Sequence, residues 1–335
     1  MRHKSVIMLM AVLTAMISGA HTAGAEPTAD EVLAAANFSD ADKQRIAAGE
    51  MISGEVKAVS DRDLSISLAF IVKIAPDDLA REVFAGNLSK SDEQLTARGT
   101  ISPSGGIADF AAVHLVPGGS DVAKTYINAT AGDKLNLATA EIADFNALKD
   151  QGDQTRAVEM QLRKMLLARC QAYRLSGLAG IRAYDRGGKS SDPAGDLRKA
   201  SEAPVLKKFF PAVQKVLVEY PQATVPGLQE TFFWVNNRID DQPTYALTHL
   251  LLAAEGNARI VIQRQFYVGR SYNCEQAIAG FFPVPQGTLV VYGNHTFTDQ
   301  VSGIGGSTKR SIGRRVMGST LKKIFERART TAEKP

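Results

Sequence analysis

Of 335 residues only two are cysteine and one is tryptophan, and the formal charge is only +4. Two thiols, Cys170 and Cys274, permit a single intramolecular bridge, which excludes a small scaffold stapled by many disulfides. Such a bridge would close a loop of about 100 residues. The competing reading is that Cys170, on one helical face with Leu162, Leu166 and Tyr173, is simply a small buried hydrophobe. The near balance of acids and bases excludes a general nucleic-acid binder, which would carry a strong basic excess.

Long apolar runs are also scarce. The one clear case is Val6 to Ile17, which follows Arg2, His3 and Lys4 and precedes Ala23-Gly24-Ala25. A positive start, a short apolar stretch and a small-x-small site read as a cleavable signal peptide, residues 1–25. The stretch is too short for a comfortable transmembrane span. Glu26 rather than cysteine follows the cut, so a lipoprotein anchor is not expected. Cleavage would remove Arg2 and Lys4 and no acid, lowering the formal charge from +4 to +2. The expectation is a periplasmic or secreted protein.

The sequence also lacks Gly-x-Ser-x-Gly, His-Glu-x-x-His, Cys-x-x-Cys, Walker A and EF-hand patterns. Nothing suggests a cofactor or a metal, and the balance tips away from catalysis.

What is present reads as an α+β chain in five stretches. Residues 26–50 form a mobile lead-in followed by a helix that starts at Ser39-Asp40-Ala41-Asp42. In 51–135, Leu64, Ile66, Leu68, Phe70 and Val72 alternate as in a strand, and Pro76-Asp77-Asp78 opens a short helix. Short strands are expected around Phe110–Val116 and Thr125–Asn128. Residues 136–220 are helix-rich, broken by an exposed loop from Asp185 to Pro193. Residues 221–335 form an antiparallel meander and a long C-terminal helix, in one domain with 51–135. Its strands are Gln229–Ile239, Thr244–Ala253, Arg259–Val268 and Thr288–Thr298, joined by turn-forming residues. Gly313 and Gly318 would let the final helix approach the sheet closely.

This order of elements, with Val72-Lys73-Ile74-Ala75-Pro76-Asp77-Asp78-Leu79 at its first strand-to-helix junction, resembles the helix-grip fold of START-type lipid-binding domains. The likeness covers residues 52–90 and 228–329, with 138–218 as an insertion. It implies a curved sheet gripping the terminal helix around an apolar cavity for a lipid or another hydrophobic ligand.

Polar residues on apolar strand faces are the candidates for holding the ligand's polar end. His295 shares a face with Leu289, Val291 and Phe297, and Arg264 shares one with Ile260, Ile262, Phe266 and Val268. Trp234 and His249 are weaker candidates, since apolar neighbours explain both as packing. The competing reading makes His295 a satisfied core histidine and places Arg264 in a structural ion pair or on the opposite, solvated face. Gly305, Gly306, Ser307, Thr308 and Lys309 open the terminal helix, where free backbone donors suit an anion. The cations that follow, Arg314, Arg315, Lys322, Lys323, Arg327 and Arg329, suit an anionic membrane surface. The expectation is an exported soluble binding protein for a hydrophobic small molecule or lipid. The alternatives are a hydrolase whose site is assembled from distant segments, or a scaffold acting through protein partners.

Overall fold

A computed structural model describes residues 27–54, 56–86, 93–116, 118–132, 134–303 and 305–333. The signal-peptide segment lies outside the described residues. The fold is α+β, built on one open antiparallel sheet of eight strands. The strands are β1 (Ile52–Gly54), β2 (Asp63–Val72), β3 (Leu95–Ile101), β6 (Gln229–Ile239), β7 (Gln242–Glu255), β8 (Ala258–Val268), β9 (Cys274–Val284) and β10 (Gly287–Phe297), with a separate two-residue hairpin, β4 (Tyr184–Asp185) and β5 (Ser190–Ser191). The order across the sheet is β1-β2-β10-β9-β8-β7-β6-β3, so the last long strand pairs with the first.

Side-chain alternation divides the sheet into two faces. One face carries Phe70, Val290, Phe281, Val261, Leu250 and Phe233, and is covered by α3 (Pro76–Phe84) and α10 (Gly306–Ala332). The other carries Ile260, Ile262, Phe266, Leu289 and Phe282. It is covered by α1 (Ala29–Ala35) and by the helices between β3 and β6: α4 (Gly119–Ile127), α5 (Thr139–Asn146), α6 (Gln154–Ser176), α7 (Pro193–Ser201), α8 (Pro204–Phe209) and α9 (Pro211–Glu219). A further helix, α2 (Asp40–Ala47), begins at the Ser39 cap, with reciprocal hydrogen bonds between Ser39 and Asp42.

Several expectations change. The stretch around Phe110–Val116 is not a strand but the end of a 3-10 turn (Ile107–Phe110) followed by irregular chain, with Phe110, Val113 and Leu115 buried in the core under the helices. Residues 29–35 are helical rather than a lead-in, because a Thr28–Glu31 capping box starts the helix and Val32 and Leu33 bury against the sheet. Thr125–Asn128 belongs to the end of α4, where Val122, Ala123, Tyr126 and Ile127 are buried at helical spacing. The 185–193 loop is pinned. Arg186 donates to Asp299, Gly132 O and Asn136, and Ser191 also bonds Asp299.

α10 approaches β2 through glycine. A Cβ at Gly318 would stand 2.6 Å from Cδ1 of Ile66, and one at Gly313 would stand 3.1 Å from Cδ2 of Leu64. Gly318→Leu should therefore overpack this seam and lower the unfolding free energy in urea by about 1–3 kcal/mol, whereas an unchanged midpoint would mean that the seam is loose.

Candidate functional site

A predominantly apolar space lies between α10, α3 and the sheet face they cover. Its volume is about 270 Å³, and its walls are chiefly Phe70, Val72, Leu79, Val83, Phe233, Val235, Leu250, Val261, Phe281, Val290, Leu321, Ile324 and Phe325. That exceeds the roughly 150 Å³ that suffices for benzene in an engineered apolar cavity. Ala277 and Ala279 keep the middle of the sheet low, and Phe325 packs on Phe70 and Tyr292 at 5.5 and 4.8 Å between ring centres. Polar side chains interrupt the wall at Gln263, Gln265, Tyr292 and Asn237, and Arg98 and Arg329 add two cations. No Asp or Glu lines the space among the described residues. The guanidinium of Arg98 lies over the Phe233 ring at 4.0 Å, and burial lowers its pKa from the usual arginine range.

None of the four residues expected to orient a ligand lines this cavity. Arg264, His295, Trp234 and His249 alternate with cavity-facing neighbours and point to the opposite face, under the helices. Arg264 is a structural tie, though not through an ion pair. It donates to Gln276 Oε1 at 2.7 and 3.0 Å, to Ser201 Oγ at 2.9 Å, to Leu217 O at 2.8 Å and to Tyr173 OH at 3.3 Å. It thereby fastens α6, α7 and α9 to β8 and β9. Trp234 donates from Nε1 to Asp109 O at 2.8 Å and packs against Gly99, where any Cβ would collide with the indole. His295 bonds Asp63 at 2.9 Å, and among the described residues no serine or cysteine joins them.

His249 sits in the most extended polar chain of the helical face. Its Nδ1 meets Tyr173 OH at 3.1 Å and its Nε2 meets Glu230 at 2.9 Å. Burial pushes its pKa down to about 4 even though Glu230 pulls the other way. At neutral pH the ring is thus uncharged, with its proton on Nε2, because a carboxylate can only accept. The ring stacks on Phe232 at 4.2 Å, and Tyr173 stacks on Phe266 at 4.1 Å. Tyr173 and His249 are both wholly buried, whereas Glu230 at the end of the chain is exposed.

Cys170 and Cys274 are free thiols, not a bridge. Both belong to the apolar core under the helices, and Cys274 Sγ lies 3.7 Å from Pro193 O. Burial raises both thiols, Cys170 to about 11, which keeps them protonated and unreactive. At the start of α10, Gly305 is a left-handed N-cap without a side-chain hydrogen bond. Ser307, Thr308 and Lys309 are exposed, and Gly306 is buried against Val301 O.

Sequence reading missed the cavity's own polar residues. Gln263 and Gln265 flank Arg264 on β8, and β9, which supplies Ala277, Ala279 and Phe281, was not recognised as a strand. Among the described residues no helix is long and apolar enough to cross a membrane. No known protein family, curated protein or solved structure matches the chain.

The His249 burial has a measurable consequence. Its folded pKa lies below the unfolded value of about 6.5, so the folded state binds fewer protons between the two, and stability is lost as pH falls through that window. From pH 6.5 to 4, the wild-type protein should lose on the order of 3 kcal/mol more unfolding free energy than His249→Gln. Parallel pH profiles for the two proteins would contradict the neutral, buried ring.

Proposed function

We propose that the protein is an exported carrier that binds a small hydrophobic or amphipathic molecule in the cavity between α10, α3 and the sheet. The observation that carries this reading is the cavity itself. Apolar side chains from seven strands and two helices surround about 270 Å³ that they leave unfilled. Interiors normally exclude such voids, because side chains facing empty space lose their dispersion partners. The helix-grip resemblance, with its implied ligand space under the terminal helix, supports the same reading, and so does the signal peptide for its place in the cell envelope. The polar chain on the helical face offers an enzyme no comparable opening.

Filling the space tests the proposal. N-phenyl-1-naphthylamine, an uncharged apolar dye, should brighten on binding the wild-type protein, and Ala279→Trp should abolish the signal while leaving the circular dichroism unchanged. Equal brightening by both proteins would place the dye elsewhere and sink the reading. Native mass spectrometry of the protein taken from its own host, with N-terminal sequencing, should give a chain starting at Glu26 and a bound mass lost on denaturation.

A membrane-facing role for α10 belongs to the same reading. Lys309, Ile312, Val316, Ser319 and Lys323 follow one another at helical spacing and all are exposed, Ile312 and Val316 to 60%. Two apolar side chains between two cations suit the surface of an anionic bilayer. The protein should sediment with phosphatidylglycerol vesicles in low salt, and Ile312→Ser with Val316→Ser should release it. Sedimentation indifferent to both changes would exclude this face.

A further inference from the structure

The cavity wall is not uniformly apolar, and its polar part is uncharged. Gln263, Gln265 and Tyr292 stand together on the cavity face of β8 and β10, amid Val261, Ala277 and Ala279. Gln265 and Tyr292 are only 7% and 8% exposed. Their hydrogen-bonding capacity is not used up inside the protein. Gln265 Oε1 accepts from Tyr272 at 2.6 Å and Gln263 Nε2 reaches Glu275 at 3.5 Å, but among the described residues Gln265 Nε2 and Gln263 Oε1 bond nothing. Thr248, which faces Gln265 across the β7–β8 register, is wholly buried, and its Oγ1 also lacks a partner. Of these groups only Thr248 Oγ1 is wholly buried without a partner; Gln263 Oε1 and Gln265 Nε2 retain some exposure, so they are free to bond water or a bound molecule.

The charges near this wall restrict what that molecule is. Glu275 faces Gln265 from β9, and no Lys or Arg pairs with it among the described residues. Loss of solvent holds its carboxyl above the usual range, outweighing hydrogen bonds from Asn294, Thr296 and Gln263. An anionic head would meet no cation here. The two arginines that line the cavity stand elsewhere, Arg98 on the edge strand β3 and Arg329 near the end of α10.

Resting on the carrier reading above, we propose that the ligand is an uncharged amphiphile whose hydroxyl or carbonyl group hydrogen-bonds Gln263 and Gln265. Its apolar body lies against Phe281, Leu321 and Phe325. The amide oxygen of Gln263 accepts from a hydroxyl, and the amide nitrogen of Gln265 donates to an oxygen, so one alcohol satisfies both.

Displacement of N-phenyl-1-naphthylamine by three ten-carbon chains tests this on the unmodified protein. Decanol should displace the dye at about tenfold lower concentration than decanoate or decylamine, the discrimination expected of one hydrogen bond in a dry site. Gln263→Met with Gln265→Met should abolish that preference while the dye still binds. A tighter decanoate would put the head at Arg98 and Arg329, and a tighter decylamine would put it on ionised Glu275. Either result overturns the proposal and leaves the carrier reading intact, as would equal potency of all three. A protein that binds neither the dye nor any chain overturns both.

Discussion

In this sheet, neighbouring residues on one strand belong to different interiors. The backbone pleat sends each side chain to the side opposite its predecessor, and here both sides are covered, one by the helices between β3 and β6 and the other by α3 and α10. Whether a polar residue serves packing or meets a ligand is therefore decided by its parity along the strand. Gln263 and Arg264 are adjacent in sequence and share a strand. Yet the first lines the cavity, and the second ties three helices to the back of the sheet.

That constraint explains what could be read from the sequence and what could not. β6 was legible to the residue, because Asp240 and Asp241 both accept positive φ in the turn that ends it and its aromatic content is high. β2, α3 and the terminal helix were legible too, through alternation in the first and helical spacing in the others. β9 was not, since Ala277, Ala279 and Gly280 give little hydrophobic contrast. Two of these small residues, Ala277 and Ala279, also leave room for the cavity.

The polar candidates lie away from this cavity for a related reason. Arg264 and His295 lie on apolar faces, as their spacing indicates, but in a sheet covered on both sides there are two such faces. Nothing in one sequence says which face is closely packed and which is left open. Choosing between them requires knowing that residues 102–228 fold onto one side and α10 onto the other, a matter of long-range order. Arg264 also shows how a buried cation is retained without a carboxylate. Four neutral acceptors take its hydrogens, and each belongs to a different element.

The two covers of the sheet differ in how firmly they are held, and that difference bears on how the cavity would be filled. The helical layer is fastened by buried polar ties, Arg264 to Leu217 and Ser201, Tyr184 to Asn273, and Arg186 to Asp299. Over the cavity, the second half of α10 is held by apolar contacts from Leu321 and Phe325 and by exposed links, Arg327 to Glu93, Arg329 to Gly49 O and Lys73 N–H to the Glu333 carboxylate. Exposed ion pairs contribute little, about 1 kcal/mol or less. Local opening draws on the least costly contacts, so the last turns of α10 are where the cavity opens with least loss, while the glycine seam at Gly313 and Gly318 keeps the first half of the helix on β2.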